Sequence, residues 1–355
     1  MDIHVLSQAF TNTGVIDQFQ SIIWTKRYNR IGDFELKLLM SKSLLDVIKV
    51  GGFIALDDPS DLMIIDSLEI KTDVNDGNIL TVTGASLESV LSYRIIWEQT
   101  ILSGNLQTEI ERLLNENVID PEDPERKIEN LIFEHNSDPL ITSLILNEQH
   151  TGENILQVIE LICESYDIGF KLYINDSGNM VFKLYKGADR SYDQDTNSYV
   201  VFSTNFENIM DTRFVITNKN YKNVTLVAGE GEGYDRKTIV VQLDDEMPRG
   251  LERREMYTDA RDISQTVDGG SLSDSVYYNL LGERGVVSLY QNTTETGFDG
   301  ELDATQLYIY GRDFFMGDIV QTENEFGITG KSAITEIIRS ETQDGTRIYP
   351  TFKAL

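Results

Sequence analysis

Two hairpin patterns, one near each end of the chain, constrain the fold more than any other feature. Near the start, Gly52-Phe-Ile-Ala-Leu56 leads through a short acidic turn to a strand pattern at 62–72. Asp76-Gly77 follows, and then a strand pattern ending in Val82-Thr83. Near the end, Gly317-Asp-Ile-Val320 leads to a strand pattern at about 333–340, then Asp344-Gly345, then a strand ending in Pro350-Thr351. Asp-Gly between two such runs marks a tight hairpin, because glycine accepts the positive φ that the turn needs. A β-module present twice would leave this trace, and so would two unrelated hairpins. Phe34-Glu-Leu-Lys-Leu38 alternates apolar and polar residues with period two, as a half-buried strand does.

Between the two ends the pattern changes. Asn29–Asp33 reads as a turn. Ser43-Leu-Leu-Asp46 has capping-box spacing and predicts a short helix over 43–49. Strands are predicted at 52–57, 62–72 and 79–84, with a short helix at 86–91. Leu106, Ile110, Leu113 and Leu114 share one helical face. The stretch 117–129 is acidic, carries Pro121 and Pro124, and reads as an exposed loop. Ile155, Ile159, Ile162 and Tyr166 define a second helix, with Gly169 as its stop. Phe170–Ile174 and Met180–Tyr185 flank Asn175-Asp-Ser-Gly178 and predict a hairpin. Strands return at 213–216, 223–228 and 237–241. Residues 245–305 are polar, carry Gly269-Gly270 and one helix at about 273–288, and read as an insertion. Residues 306–353 are strands again.

A chain of 355 residues implies roughly two to four domains. Its 30 Lys and Arg stand against 59 Asp and Glu, a formal net charge of -29. That excess argues against gripping nucleic acid, which needs clustered cations, and against docking on an anionic membrane. Apolar residues make up 40% of the chain, enough for real cores rather than an acidic disordered tail. No apolar run reaches the ~20 residues of a spanning helix, so no membrane insertion is expected. Met1–Val5 lacks a basic region followed by an apolar stretch, so no leader is expected. The sequons at Asn175, Asn223 and Asn292 then read as chance.

Candidate chemistry is sparse, and the expectation is no catalytic residue, no cofactor and no metal. His4, His135 and His150 lack any metal-site spacing. Cys163 is the only cysteine and falls beside Ile162 near an apolar helix face, which suggests a small buried hydrophobe. Gly229-Glu-Gly-Glu-Gly233 lacks the Lys-Ser/Thr of a phosphate loop and carries carboxylates where phosphate would sit, so it reads as a tight β-turn. Asp193-Gln-Asp-Thr-Asn197 starts like a calcium loop, but Ser198 and Thr204 stand where Gly and Glu are required.

Several phrases, in order, resemble one family. They are Arg30-Ile-Gly-Asp-Phe-Glu-Leu36, Ser92-Tyr-Arg-Ile-Ile-Trp97, Thr151-Gly-Glu-Asn-Ile-Leu156, Lys186-Gly-Ala-Asp-Arg-Ser191 and Asn223-Val-Thr-Leu-Val-Ala-Gly-Glu-Gly231. Arg253-Arg-Glu255, Gly317-Asp-Ile-Val320, Ile334-Thr-Glu-Ile337 and Pro350-Thr-Phe352 complete them. The chain resembles siphophage-type tail proteins of the hub class, over about residues 5–353. The resemblance implies a β-rich α+β fold with two tail-tube-like β-barrel modules and small intervening α+β domains. It assigns 1–100 to the first tube-like module and 101–200 to an α+β domain. Residues 201–244 and 306–355 form a second, split module, and 245–305 an inserted domain.

It also implies a homotrimer whose ring of six modules closes or adapts the distal end of the tail tube and opens for DNA passage. The implied partners are the distal tail protein or last tube ring, the tape-measure protein's C-terminus, and tip or receptor-binding proteins, with DNA only in transit. The implied location is the distal tail end of a virion, after synthesis in the bacterial host cytoplasm. Longer members of that class carry a C-terminal lysin or receptor-binding extension. Here the last predicted strand is followed by Leu355, so the expectation is a short form without lysin activity. Two alternatives remain open: a tail-associated glycan- or peptidoglycan-cleaving enzyme using a carboxylate pair, and a tail-tip carbohydrate-binding adhesin. In the hub reading, acidic residues should be enriched on a channel wall that lets DNA slide.

Overall fold

The computed structural model describes residues 2–56, 61–73, 77–233, 236–267, 270–302 and 307–355. The acidic turn at 57–60, Asp76 of the first hairpin and Gly269 lie outside the described residues.

The first hundred residues form strands β1 (Ile3–Leu6), β2 (Asn12–Ile16), β3 (Ser21–Arg27) and β4 (Asp33–Leu39), the helical turn α1 (Leu44–Val47), and β5 (Phe53–Ala55), β6 (Leu62–Asp73) and β7 (Gly77–Ser86). The alternation of β4 is realised: Phe34, Leu36 and Leu38 are buried and pack with Ile22, Trp24, Leu80 and Val82 into a first core. The capping box at Ser43 does not form. Ser43 already has helical backbone, and its Oγ shares a hydrogen bond with Ser41 Oγ at 2.9 Å. In a helix of one turn the Asp46 amide simply donates to the Ser43 carbonyl. Leu87–Tyr93 continues as the predicted short helix, of 3-10 type.

The middle of the chain holds β8 (Thr100–Asn105), α2 (Leu106–Leu114), β9 (Leu131–Glu134), α3 (Pro139–Thr142), β10 (Ile145–His150), α4 (Ile155–Ser165), β11 (Gly169–Ile174) and β12 (Met180–Tyr185). Asn105 and Asn154 cap α2 and α4, their side chains accepting from Thr108 N and from Leu156 N and Gln157 N. The apolar faces of both helices meet in a second core with β11 and β12. Two expectations are corrected here. The 117–129 loop starts later, because α2 runs on into a π turn over Asn115–Ile119 that buries Asn117 and Val118. Gly169 is not the stop of α4 either. The helix ends at Tyr166, Asp167 takes the left-handed φ of 50°, and Gly169 is already in β11. β9 was not expected; it pairs parallel with β12.

The rest comprises β13 (Val201–Ser203), β14 (Ile209–Thr217), β15 (Val224–Ala228), β16 (Thr238–Gln242), β17 (Glu255–Asp259), β18 (Thr266–Val267), β19 (Gly270–Ser271), α5 (Asp274–Tyr290), β20 (Glu295–Leu302), β21 (Ile319–Glu323), β22 (Thr329–Thr342) and β23 (Gly345–Ala354). β15 lies between antiparallel β16 and parallel β17, so residues on both sides of 244–245 share one small sheet. α5 lies close against it: a Cβ on Gly285 would stand 2.7 Å from Val227 and Val241.

Strands from both ends of the chain join one sheet, along the path β14-β20-β23-β22-β3-β4-β7-β6-β5-β1-β2, with β21 on β22 and β13 on β21. The described strands trace an open path, not a closed barrel. The path repeats itself. The order β3-β4-β7-β6-β5-β1 corresponds to β14-β20-β23-β22-β21-β13. One element differs, since β1 is antiparallel to β5 whereas β13 is parallel to β21. β6 and β22 each carry a bulge, at Asp66 and Thr335, seven residues before the hairpin ends at Asp73 and Thr342. Trp24 opposite Phe34 corresponds to Phe214 opposite Phe298.

Val82-Thr83 and Pro350-Thr351 correspond as the sequence suggested. Gly317, however, matches Gly51 rather than Gly52. Both have positive φ, 80° and 84°. Their amides donate to Ile65 O at 2.8 Å and Ile334 O at 2.9 Å. The two halves are joined edge to edge, because β22 beyond its bulge pairs antiparallel with β3.

Candidate functional site: a three-way junction around Tyr28

Tyr28 follows β3 and is 1% exposed, inside a third core that belongs mainly to the second half. Its amide donates to Thr335 O at 3.0 Å and its hydroxyl to Asp167 O at 3.3 Å. One residue thus ties the first half, the second half and the middle unit. Burial pushes its phenol pKa well up, with the Asp167 charge adding to this. Three glycines make room for the ring and its neighbours. A Cβ on Gly169 would lie 2.6 Å from Tyr28, and one on Gly317 would lie 2.2 Å from it. A Cβ on Gly187 would meet the Gly317 backbone at 2.0 Å. Tyr185 packs edge-on against Tyr28, with ring centroids 5.4 Å apart.

Charged groups fasten the same junction. Asp318, 2% exposed, accepts from Ala188 N at 2.7 Å, Arg190 Nε at 2.6 Å and Phe315 N at 2.9 Å. Arg27 donates to Glu336 at 2.7 Å and to Asp33 at 2.5 Å. Arg30 reaches Glu164 at 2.9 Å, and Glu160 accepts from Ile31 N at 3.0 Å. Glu88 accepts from Leu172 N at 2.9 Å, and burial raises its carboxyl pKa. A cavity of about 750 Å³ opens between the three units, lined by Lys26, Arg27, Arg30, Lys171, Lys186 and Arg190 beside Asp61, Glu88 and Asp318. Most of these cations already serve ion pairs, so the cavity's chemistry is that of a fastened joint.

The residues weighed for chemistry are scattered. His4 lies in β1, opposite Ala55 and Val15. His135 is exposed and bonds Glu111 at 2.7 Å. Cys163 is fully buried, and burial drives its thiol pKa up, which fits the hydrophobe reading. Asp193 pairs with Lys331 at 2.9 Å, and Tyr199 donates to Asp195 at 3.0 Å. Gly229–Gly233 is a turn docked by Tyr277, whose hydroxyl accepts from Glu230 N at 2.8 Å and donates to Ile263 O at 3.0 Å. Asn223 is buried and donates to Glu252 O at 2.9 Å. Among the described residues no three His, Cys, Asp or Glu side chains are placed to hold a metal ion, and no helix is long and apolar enough to cross a membrane.

His150 is the one histidine in a built environment. Its side chain is 2% exposed and bridges Glu153 through Nδ1 at 2.7 Å and Glu148 through Nε2 at 2.8 Å. Burial opposes the charge, but the bonds to Glu148 and Glu153 outweigh it and raise the pKa to about 9. A raised folded pKa means stability that is complete below the unfolded value, about 6.5, and lost as pH rises through the folded one. The melting temperature is therefore expected to fall between about pH 6.5 and 9. His150→Gln should flatten that slope; an unchanged slope in the variant would count against the bridge.

Sequence reading missed Tyr28, Gly187 and Asp318 as a cluster, although the signal was present. Arg30–Leu36, Lys186–Ser191, Gly317–Val320 and Ile334–Ile337, four of the phrases that carry the family resemblance, converge here.

The fold is shared with solved tail proteins. The 43 kDa tail protein of prophage MuSo2 from Shewanella oneidensis superposes with TM-score 0.59 at 12% identity, covering 99% of this chain and 98% of that one. The tail protein from Neisseria meningitidis MC58 gives 0.55 at 13%, covering 99% and 95%. Prophage tail protein gp18 from Listeria monocytogenes EGD-e gives 0.55 at 13%, covering 99% and 94%. No curated protein matches the chain. The family model for the Siphovirus ReqiPepy6 Gp37-like protein matches residues 2–352 in one span, through both halves and the junction that binds them. The chain therefore belongs to that siphovirus protein family.

Proposed function

We propose that this protein is a structural tail hub. Three copies form a ring that closes or adapts the distal end of a phage tail tube and opens for DNA passage. One observation carries the reading: two halves of one chain repeat a strand order and lie edge to edge in a single sheet. A chain with two equivalent modules lets a three-fold assembly meet a six-fold one. The solved structures that share this fold are phage and bacterial tail proteins, which points the same way. In this reading 1–100, and 201–244 with 306–355, supply the tube-like modules and 101–200 the intervening domain; β20 of the 245–305 stretch joins the second module's sheet, while β15 and β16 pair in the small sheet with β17 of the inserted domain. The partners are the distal tail protein or last tube ring, the tape-measure C-terminus, and tip or receptor-binding proteins, in the virion, without enzymatic activity.

The side of the sheet turned away from the cores carries both signs. Away from the junction, Glu35 pairs with Lys37 at 2.7 Å and Glu301 with Arg347 at 3.6 Å. If this face is the channel wall, its Glu35 and Glu301 carboxylates are paired with cations. Multi-angle light scattering is expected to give a trimer, and tail imaging to place it at the distal end. A strictly monomeric chain absent from particles would sink the reading.

A further inference from the structure

The ring reading needs a contact between copies, and the internal repeat specifies one. Within the chain, β22 beyond its bulge pairs with β3, from Glu336 opposite Arg27 to Thr342 opposite Ser21. The strand that corresponds to β22 is β6, and the strand that corresponds to β3 is β14. Among the described residues, β14 ends the sheet path and pairs only with β20, and β6 beyond Asp66 pairs only with β7. Each chain thus carries the two halves of the same joint, open, at opposite ends of its sheet. Exposed strand edges are templates for pairing.

We propose that β14 of one copy pairs antiparallel with Ser67–Asp73 of the next, in the register that β22 and β3 use within the chain. This inference rests on the ring reading and names its contact. The corresponding bulges and hairpin ends of β22 and β6 carry the register across, and β14 matches β3 as far as its own bulge after Arg213. Leu68 then falls opposite Ile216, Glu69 opposite Val215, Ile70 opposite Phe214 and Lys71 opposite Arg213. The apolar members share one face. Leu68 packs on the first core and Phe214 on the second half's core, while Ile70 and Ile216 are 48% and 63% exposed in the single chain. In the joint within the chain, Trp24 and Ile337 hold the corresponding positions of Phe214 and Leu68, and both are buried. Arg339 and Lys26 hold the positions of Ile70 and Ile216 in that joint and are half-buried there, so a second copy would cover part of each isoleucine. The contact is head-to-tail, so it repeats from copy to copy instead of stopping at a pair, as the ring reading requires.

Cysteine pairing tests the register, because the only native cysteine, Cys163, is buried. Directly opposite residues of an antiparallel pair bring Cα atoms within about 4.5–5.5 Å, inside disulfide range. The full chain bearing Ile70→Cys and Phe214→Cys is expected to give, on mild oxidation, a covalent ladder ending at the trimer. Ile70→Cys with Val215→Cys, on opposite faces, should give none, and neither should either single variant. Lys71→Glu, which turns a like-charge pair into an attractive one, should tighten self-association by roughly 3- to 10-fold. Ile216→Lys should abolish the trimer while melting, at dilutions where the unchanged chain is also monomeric, at the same temperature as that chain. Light scattering on the same samples separates the two readings. A trimer that fails to cross-link in this register, or cross-links equally in the control, overturns the edge pairing and leaves the ring. A monomer at every concentration, with no ladder, overturns both.

Discussion

Asp318→Ala is expected to destabilise the protein by about 3–5 kcal/mol, the usual cost of breaking a buried ion pair from one side. The carboxylate holds two backbone amides and the Arg190 guanidinium, and it is 2% exposed. Its removal strands Arg190 and two N–H donors in the joint between Lys186–Ser191 and the second half. Asp318→Asn keeps the shape and one acceptor oxygen, and should cost less. Urea unfolding reads both, and a loss below about 1 kcal/mol for the alanine variant would show that the clamp is solvated.

The second large effect is at Gly317. Its φ of 84° disfavours any side chain, and an added Cβ would enter the Tyr28 ring at 2.2 Å. Left-handed strain and overpacking together predict a loss of about 2–5 kcal/mol for Gly317→Ala. Tyr28→Ala should cost about 3–5 kcal/mol through the cavity it leaves. The two changes are expected not to add, because removing the ring admits the methyl group. A double variant as unstable as the sum of the singles would show that the strain, not the contact, sets the cost.

Much of the fold was legible in the sequence where one physical signal acted alone. The alternation over Phe34–Leu38, the helical spacing of Leu106, Ile110, Leu113 and Leu114, and the hairpin at Asn175–Gly178 depend on local pattern, and the structure realises each. The failures lie where tertiary contacts compete. Gly169 looks like a helix stop, but its lack of a side chain serves the Tyr28 ring, and Asp167 makes the turn instead. Ser43 fits a capping box, but a one-turn helix leaves its hydroxyl to Ser41. The junction was not assembled as a site because Tyr28, Asp167, Gly187 and Asp318 are far apart in sequence: the family-like phrases mark the segments, but no local pattern marks their meeting. The repeated sheet was half legible: the glycine and hairpin spacing exposed it, and only backbone geometry fixed the match of Gly51 to Gly317.

The β3–β22 joint has a consequence for the nascent chain. Arg27 and its partner Glu336 are separated by 309 residues. At a synthesis rate of about 5–20 residues per second, β3 emerges roughly 15–60 s before the strand that covers it. During that interval the first half can fold around its own core, but Trp24 stands at an uncovered edge. Ribosome-bound intermediates of this protein should therefore be its most adhesive state, and chaperones should engage it there rather than after release.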